Sequence, residues 1–296
     1  VLDRLLGQLH DPLFAALPFV CFLLLVEAWA LRLGEDRGYK GYDRSDLRAN
    51  VLTGIGALTI STVMRLAVLV LYTYVYVHLA PWHLPMGHWA TWLFLFVAVD
   101  LLVYVYHRKA HEIRVVWAGH QVHHSSEYFN SSVALRRKWA QWFEKLVWFP
   151  LPLLGVEPKW VFAVHSLHLI YGLFAHTERV NRLPRLIELL FVTPSHHRVH
   201  HGTQPEYLDK NYGSILIVWD RMFGTFQVEG VPPIYGLTTQ LGTHSLWKIQ
   251  TNEFLAMVRD LRGATRRKDK LLYVVGPPGW RPADAPLPRP VAMTTR

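Results

Sequence analysis

Three long apolar runs constrain this chain before any other feature does. They cover residues 12–33, 51–80 and 89–106, and carry only Glu27 and Arg32, Arg65, and Asp100 respectively as charges. Crossing a bilayer core takes roughly 20 apolar helical residues. Inside lipid the backbone must satisfy its own hydrogen bonds, so such runs fold as helices. Two shorter apolar stretches follow, 146–156 and 160–175, with Pro150, Pro152, Gly155 and Pro158 around their junction. They read either as two spans or as one re-entrant hairpin. The expected fold is therefore an all-α integral membrane protein, with four to five transmembrane or re-entrant helices and a cytoplasmic helical cap. Charged residues make up 18% of the chain, low against roughly 25% for a soluble domain.

The charge pattern orients these runs. Arg32 at the end of the first run and Arg37, Lys40, Arg44 and Arg48 after it precede the second, whereas 81–88 holds no Lys or Arg. The positive-inside rule puts the first loop in the cytoplasm, and with it 107–141 and everything from His176 onward. The protein is then expected in a bacterial inner membrane or the endoplasmic reticulum. The formal net charge of +9 sits in short blocks beside apolar runs. No nucleic-acid module accompanies them, so nucleic acid is not an expected partner. Ala28-Trp29-Ala30 has the look of a signal cleavage site, but the weakly charged start and the basic loop after it favour an uncleaved span. Cys21 is the one cysteine, which excludes a disulfide framework, a Cys-based zinc site and an iron–sulfur cluster within one chain. The expected organisation is membrane helices over 1–106, a chemistry-bearing region over 107–226 with the hairpin at about 146–175, and a cytoplasmic or interfacial segment over 227–296. That last segment includes an amphipathic helix over 246–261, read as lying on the membrane or packed on the cap, and a Pro-rich tail from Gly276.

The chemistry lies in histidine. There are 17, and 12 of them fall between His107 and His201. His107 and His111 form an H-x-x-x-H box. His120, His123 and His124 form an H-x-x-H-H box, and His197, His200 and His201 form a second one preceded by His196. Residues at i, i+3 and i+4 share a helix face, so three faces supply eight imidazoles, too many for one metal ion and about right for two. His176 and His196 complete the expected ligand set. Imidazole suits iron, zinc, copper or nickel. The Glu-x-x-His pairs of soluble di-iron bundles do not occur in the boxes. Asp100 lies seven residues before His107 on the same face, and a carboxylate behind a ligand histidine fixes its tautomer. Glu178 and Asp220 are further carboxylates for such a supporting role. Arg136, Arg137 and Lys138 offer charge for a phosphate headgroup, or are ordinary positive-inside charges. His165 and His168 line a cavity or hydrogen-bond in the core. His10, His78, His83, His88 and His244 read as structural or surface residues.

No G-x-S-x-G, P-loop or dinucleotide fingerprint competes. A metal transporter would hold its site near mid-membrane, whereas these boxes fall in polar stretches. A scaffold that has lost activity is set against boxes that are complete.

The boxes and their surroundings resemble the fatty acid hydroxylase and sterol desaturase superfamily of membrane di-iron proteins over about residues 100–226. The wording is closest to its alkylglycerol monooxygenase branch. The matching runs are Trp117-Ala-Gly-His-Gln-Val-His-His-Ser-Ser-Glu127, Ser132-Val-Ala-Leu-Arg136, His176-Thr-Glu178, Thr193-Pro-Ser-His-His-Arg-Val-His-His-Gly202, Asp209-Lys-Asn-Tyr212 and Trp219-Asp-Arg-Met-Phe-Gly-Thr-Phe226. The resemblance implies O2-dependent hydroxylation of a lipid C–H bond by two irons; separately, the affinity order of divalent metals lets zinc replace iron in purified protein. It implies an ether lipid as substrate and tetrahydrobiopterin as external reductant, although no residue here marks a pterin site. Its sister activities are lipid or sterol desaturation, carotenoid hydroxylation and sterol methyl oxidation. The electron donor or reductase partner and the oligomeric state stay open.

Overall fold

The structure, a computed structural model, describes residues 18, 21–22, 24–29 and 40–283. Most of the first apolar run, Ala30 of the cleavage-site reading and the tail beyond residue 283 lie outside the described residues. Among the described residues the chain is helical, with no strand and two isolated bridges, Phe191 with Leu216 and Gly202 with Tyr235.

Helix α1 spans Arg44–His78. Asp43 starts it, its carboxylate accepting the backbone N–H groups of Ser45 and Asp46, both at 2.8 Å, which satisfies donors that a helix N-terminus leaves open. Helix α2 spans Trp89–Glu112, with the His88 ring accepting from Ala90 N at its start. Among the described residues these are the two helices long and apolar enough to cross a membrane, and most of each is left uncovered by protein. Val63, Val70 and Tyr74 of α1 and Trp89, Leu93 and Phe94 of α2 point outward. Apolar surface of this extent belongs in lipid rather than water, and this is the surface of a membrane protein.

The stretch expected as two spans or a hairpin folds into α4 (Trp142–Val147), α5 (Pro150–Leu153) and α6 (Pro158–Ala175), after α3 (Arg114–His124). It packs on α1 and α2 through one core of Leu69, Tyr72, Leu95, Val99, Trp148, Leu151, Val156, Val161 and Phe162. The Tyr72 and Phe162 rings stack at 5.9 Å, and the Tyr72 hydroxyl donates to the Lys145 carbonyl. The α5–α6 turn lies against the α1–α2 connection: Trp82 Nε1 donates to the Leu154 carbonyl at 3.1 Å, and Leu84 N to the Gly155 carbonyl at 2.9 Å. Gly155 is required there, because its φ is +83° and a Cβ would stand 2.3 Å from the Trp82 carbonyl oxygen.

The other elements gather at the opposite end of α2. They are a 3-10 turn Ser131–Leu135, α7 (Arg185–Leu190), α8 (Pro194–His200), α9 (Val218–Phe223), α10 (Leu246–Gly263) and α11 (Arg267–Val275). Helix α10 is the expected amphipathic helix. It packs on α3, with Ile249 buried against Ala49 and Val122 and Arg114 paired to Glu253 and Asp260, each at 2.7 Å. Trp247 and Leu255 of α10 remain exposed.

Candidate metal centre

Helix α2 continues past the apolar run into the first box. Ile113 then adopts an extended conformation (φ −120°, ψ 115°) and α3 begins at once. That one-residue break turns the second box back toward the first. His176 caps the C-terminus of α6, and α8 brings in the third box.

Nine histidines meet in two groups. His107, His111, His120, His124 and His200 form one, and His123, His176, His197 and His201 the other; within each group the nitrogens lie within 4.8 Å of one another. Each H-x-x-H-H box is divided between them. In α3, His120 and His124 serve the first group and His123 the second. In the third box, His197 and His201 serve the second group and His200 the first. Members at i and i+4 stay together because they stack along one line of the helix.

The ring orientations are set from behind. His107 Nδ1 donates to the Tyr212 carbonyl at 2.8 Å, His200 Nδ1 to Lys210 at 2.9 Å, His176 Nδ1 to Gly172 at 2.6 Å and His123 Nδ1 to Arg136 at 3.3 Å. A carbonyl only accepts, so these rings carry their proton on Nδ1 and present a lone pair at Nε2. His123 and His176 then aim two lone pairs at each other across 3.1 Å. Nε2 of His176 and His197 lie 2.9 Å apart, and those of His107 and His120 3.0 Å. Nε2 of His111 and of His200 is buried with no hydrogen-bond partner. Lone pairs that converge in this way repel unless a cation lies between them.

Burial pushes the pKa of His120, His123, His124, His197, His200 and His201 well below 6.5, with mutual repulsion among the histidines adding to it. Burial likewise lowers His176 to about 4. The imidazoles are therefore neutral at pH 7, the form that binds metal. Nine neutral nitrogens in groups of five and four fit two metal ions and supply no compensating charge.

Loop 209–212 buttresses the five-histidine group. Besides the Lys210 and Tyr212 carbonyls it provides Asp209, whose Oδ1 is 3.4 Å from His111 Nδ1. Asp209 and Asn211 have φ of +59° and +55°, conformations that Asp and Asn tolerate better than most residues. Buried Asp220 holds the loop by accepting Tyr212 N at 2.8 Å, Gly213 N at 2.7 Å and the Thr225 hydroxyl at 2.6 Å. Asn211 bonds the His196 carbonyl and the backbone of Gln227. Asp220 therefore reaches the histidines only through Tyr212 and the loop, without touching a histidine.

Three expectations are corrected, at Asp100, His196 and Arg136. Asp100 does not hold His107 or His111. Its carboxylate accepts from Ile215 N, Leu216 N and Trp219 Nε1 and lies 3.1 Å from His168 Nε2, because α2 meets segment 215–219 at that level. His196 falls outside both groups. It is one residue before His197 and so points about 100° away, toward Glu188 at 3.0 Å, with Nδ1 accepting from Thr193 N. Glu178, expected in a supporting role and not as a ligand, is a member of neither group. Arg136 is buried and donates to Val122 O, Ser125 Oγ, Asp46 Oδ1 and Asn50 Oδ1, so its Nε and Nη1 tie the second box to α1 rather than standing free for a headgroup. The residues that sequence reasoning missed are Asp209 in this role, Glu144 and Lys145. Backbone carbonyls behind a ligand leave no mark in a sequence, and Glu144 and Lys145 look like ordinary loop charges there.

A cavity of about 460 Å3 opens beside the centre. His107, His120, His123, His176 and His197 line one part of it, and Val51, Ile55, Leu58, Val103 and Leu169 line apolar parts. His165 and His168 also line it, and His168 Nδ1 donates to the Val164 carbonyl at 2.8 Å. Both readings of His168 therefore apply together.

Comparison with known proteins agrees with this geometry. A family model described as fatty acid hydroxylase matches residues 92–225, the interval that holds all nine histidines. The chain is 41% identical over 239 residues to the alkylglycerol monooxygenase of Danio rerio, covering 80% of the chain and 53% of the relative. It is 36% identical over 281 residues to that of Homo sapiens, covering 94% of the chain and 62% of the relative. An ornithine lipid hydroxylase of Rhizobium tropici is 30% identical over 132 residues, covering 44% of the chain and 40% of the relative. The chain thus spans about half the length of the curated alkylglycerol monooxygenases it matches. No solved structure matches the chain significantly. The nine histidines lie inside the interval matched by the fatty acid hydroxylase model, and over most of its length the chain is similar to alkylglycerol monooxygenases.

Proposed function

We propose that this protein is a di-iron membrane monooxygenase that uses O2 to hydroxylate a C–H bond of a lipid, in the first place an ether lipid. The observation that carries this reading is the pair of neutral histidine groups opening onto an apolar cavity. His107, His111, His120, His124 and His200 would hold one iron, and His123, His176, His197 and His201 the other. Bound there, the iron pair supplies the reduction of O2 and the oxidation of an unactivated C–H bond. The chain's own residues do the rest. The backbone carbonyls behind the rings hold each tautomer. The walls formed by Val51, Ile55, Leu58 and Val103 hold an alkyl chain in one pose and exclude water from the reacting carbon.

Two relatives that align over most of the chain carry the name alkylglycerol monooxygenase and another the name ornithine lipid hydroxylase, which supports a lipid as substrate. The site is proposed to face the cytoplasm, where an external reductant, tetrahydrobiopterin being the first to try, reaches it. The test is product analysis under 18O2 with iron-loaded protein. Hydroxylation beside an ether oxygen gives a hemiacetal that collapses to an 18O-labelled aldehyde and a glycerol lipid. An alkene without label would move the assignment to a desaturase. No O2-dependent product from any lipid class would contradict it.

A further inference from the structure

The cavity wall is not apolar throughout. Arg137, Lys138, Lys145 and Arg65 line it together with His123 and His176, and Glu144 is the one carboxylate among its lining residues. Glu144 is already committed: Oε2 lies 2.7 Å from Lys138 Nζ, and Oε1 lies 3.8 Å from His165 Nε2. Lys138 also sits over the Tyr106 ring at 4.9 Å, and Arg65 over the Phe162 ring at 5.2 Å. Two cations are left without a direct anionic partner, the Glu144 carboxylate acting on both only through space. The Arg137 side chain makes no hydrogen bond or ion pair among the described residues, and its charge bears on both His123 and His176. Lys145 is 3% exposed, and its ammonium donates to the Ser61 hydroxyl at 3.2 Å.

Enclosed charge is costly unless it is paired. The histidine groups cannot pair it, since neutral imidazoles bring no negative charge and bound metal adds positive charge. Arg136 shows the contrast one residue away, with its Nε and Nη1 donating to Asp46, Asn50, Ser125 and a carbonyl. A guanidinium presents a planar fork of donors that matches phosphate and carboxylate. The rest of the wall runs out to α1 and α2 through Val51, Ile55 and Val103, which suits a hydrocarbon chain.

We propose that Arg137 and Lys145 form a site for an anionic group, a phosphate monoester or carboxylate, that occupies the cavity with the substrate and holds its chain against the histidine groups. This rests on the lipid reading of the preceding section. The anion belongs to the lipid headgroup or to a free phosphate bound beside a neutral lipid, and the two are separable.

The experiment measures binding of three probes to the metal-loaded full chain in a non-ionic detergent: 1-O-hexadecylglycerol, its 3-phosphate, and inorganic phosphate. The phosphate-bearing lipid is expected to bind about 10-fold or more tighter than the neutral one, as charge-assisted hydrogen bonds imply. Arg137→Gln and Lys145→Met are each expected to shrink that preference to about 2-fold or less, with metal content unchanged, and Arg137→Lys to retain part of it. Inorganic phosphate that displaces the phosphate-bearing lipid identifies the headgroup as occupant. Inorganic phosphate that instead binds together with the neutral lipid, and depends on Arg137, identifies a free anion. Equal binding of the two lipids without any phosphate effect overturns the proposal, as does a preference that survives in a metal-replete Arg137→Gln protein. If both lipids are oxidised without preference, the oxygenase reading stands and the anion site falls. If phosphate binds through Arg137 and neither lipid is bound or oxidised, the anion site stands and the lipid reading falls.

Discussion

His123 and His124 are neighbours in sequence, yet their rings, 5.5 Å apart and inclined at 82°, belong to different histidine groups. His200 and His201 repeat the relationship at 5.4 Å and 87°. Each H-x-x-H-H box therefore gives two rings to one group and one to the other, so two helices tie both proposed metal positions into one unit.

That division makes the two positions separable by substitution. His124→Ala removes a ring from the five-histidine group and is expected to lower metal content from about two toward one per chain, the more weakly held ion leaving first. His123→Ala is expected to weaken the other position instead. X-ray absorption at the metal edge checks this: the ion that remains in each variant should show a different number of nitrogen neighbours. Identical spectra for the two variants would contradict the division into groups.

Asp220 holds the loop that backs His107, His111 and His200 without touching any of them. Asp220→Ala is expected to lower metal affinity by about 10–100-fold, the usual effect of removing a partner behind the ligands. Competition with a chelator measures it. The four-histidine group, backed by the Gly172 and Arg136 carbonyls, is expected to keep its affinity. Equal loss at both positions would mean that the loop supports the whole cap rather than one position.

Arg136 and Arg137 are expected to respond in opposite ways. Arg136→Ala leaves Asp46 buried and unpaired, since Asp46 lies 2.9 Å from Arg136 Nη1 with both side chains almost fully enclosed. Breaking such a pair costs about 3–5 kcal/mol, seen as a large drop in the unfolding midpoint in detergent. Arg137→Gln is expected to leave that midpoint within a few degrees of the parent and to change lipid binding. An Arg136→Ala protein as stable as the parent would show that the network is dispensable.

Lys138 and neighbouring cations hold the Glu144 carboxyl well below its ordinary 4.5 despite its burial, and Glu144 in turn raises Lys138 above its ordinary 10.5. A depressed carboxylate contributes stability that is complete above its unfolded pKa and is lost as pH falls toward the folded one. A raised lysine contributes stability that is complete below its unfolded pKa and is lost as pH rises past the folded one. The stability difference between the parent and Glu144→Gln is therefore expected to be flat from about pH 5 to 10 and to shrink below about pH 4.5. Thermal unfolding of both proteins across that range checks it; a difference that falls between pH 7 and 5 would contradict the pairing.

Hydropathy located α1 and α2, because one long apolar run is visible in any sequence. It missed their ends. Helix α1 starts at Arg44 rather than at residue 51, because Asp43 caps it and because Asp46 and Asn50 are satisfied by Arg136 and Ser132 from elsewhere in the chain. Helix α2 runs on to Glu112 and carries the first box inside it. The boxes themselves were legible from their i, i+3, i+4 spacing. The allocation of rings was not, since it depends on where α2, α6 and α8 approach α3. Asp100 was misread for a related reason. It does share a helix face with His107, but segment 215–219, more than a hundred residues away, takes its carboxylate. The supporting loop 209–212 acts largely through carbonyls, which every residue has.

The central claim is that these nine histidines hold two iron ions. The most direct measurement is metal content with O2 uptake on the purified full chain, loaded with ferrous iron, beside a His123→Ala/His200→Ala variant that takes one ring from each group. The account predicts about two irons per chain in the parent, a large loss in the variant, and lipid-stimulated O2 uptake in the parent alone. One iron or none in the parent, or full iron retention in the variant, would contradict it.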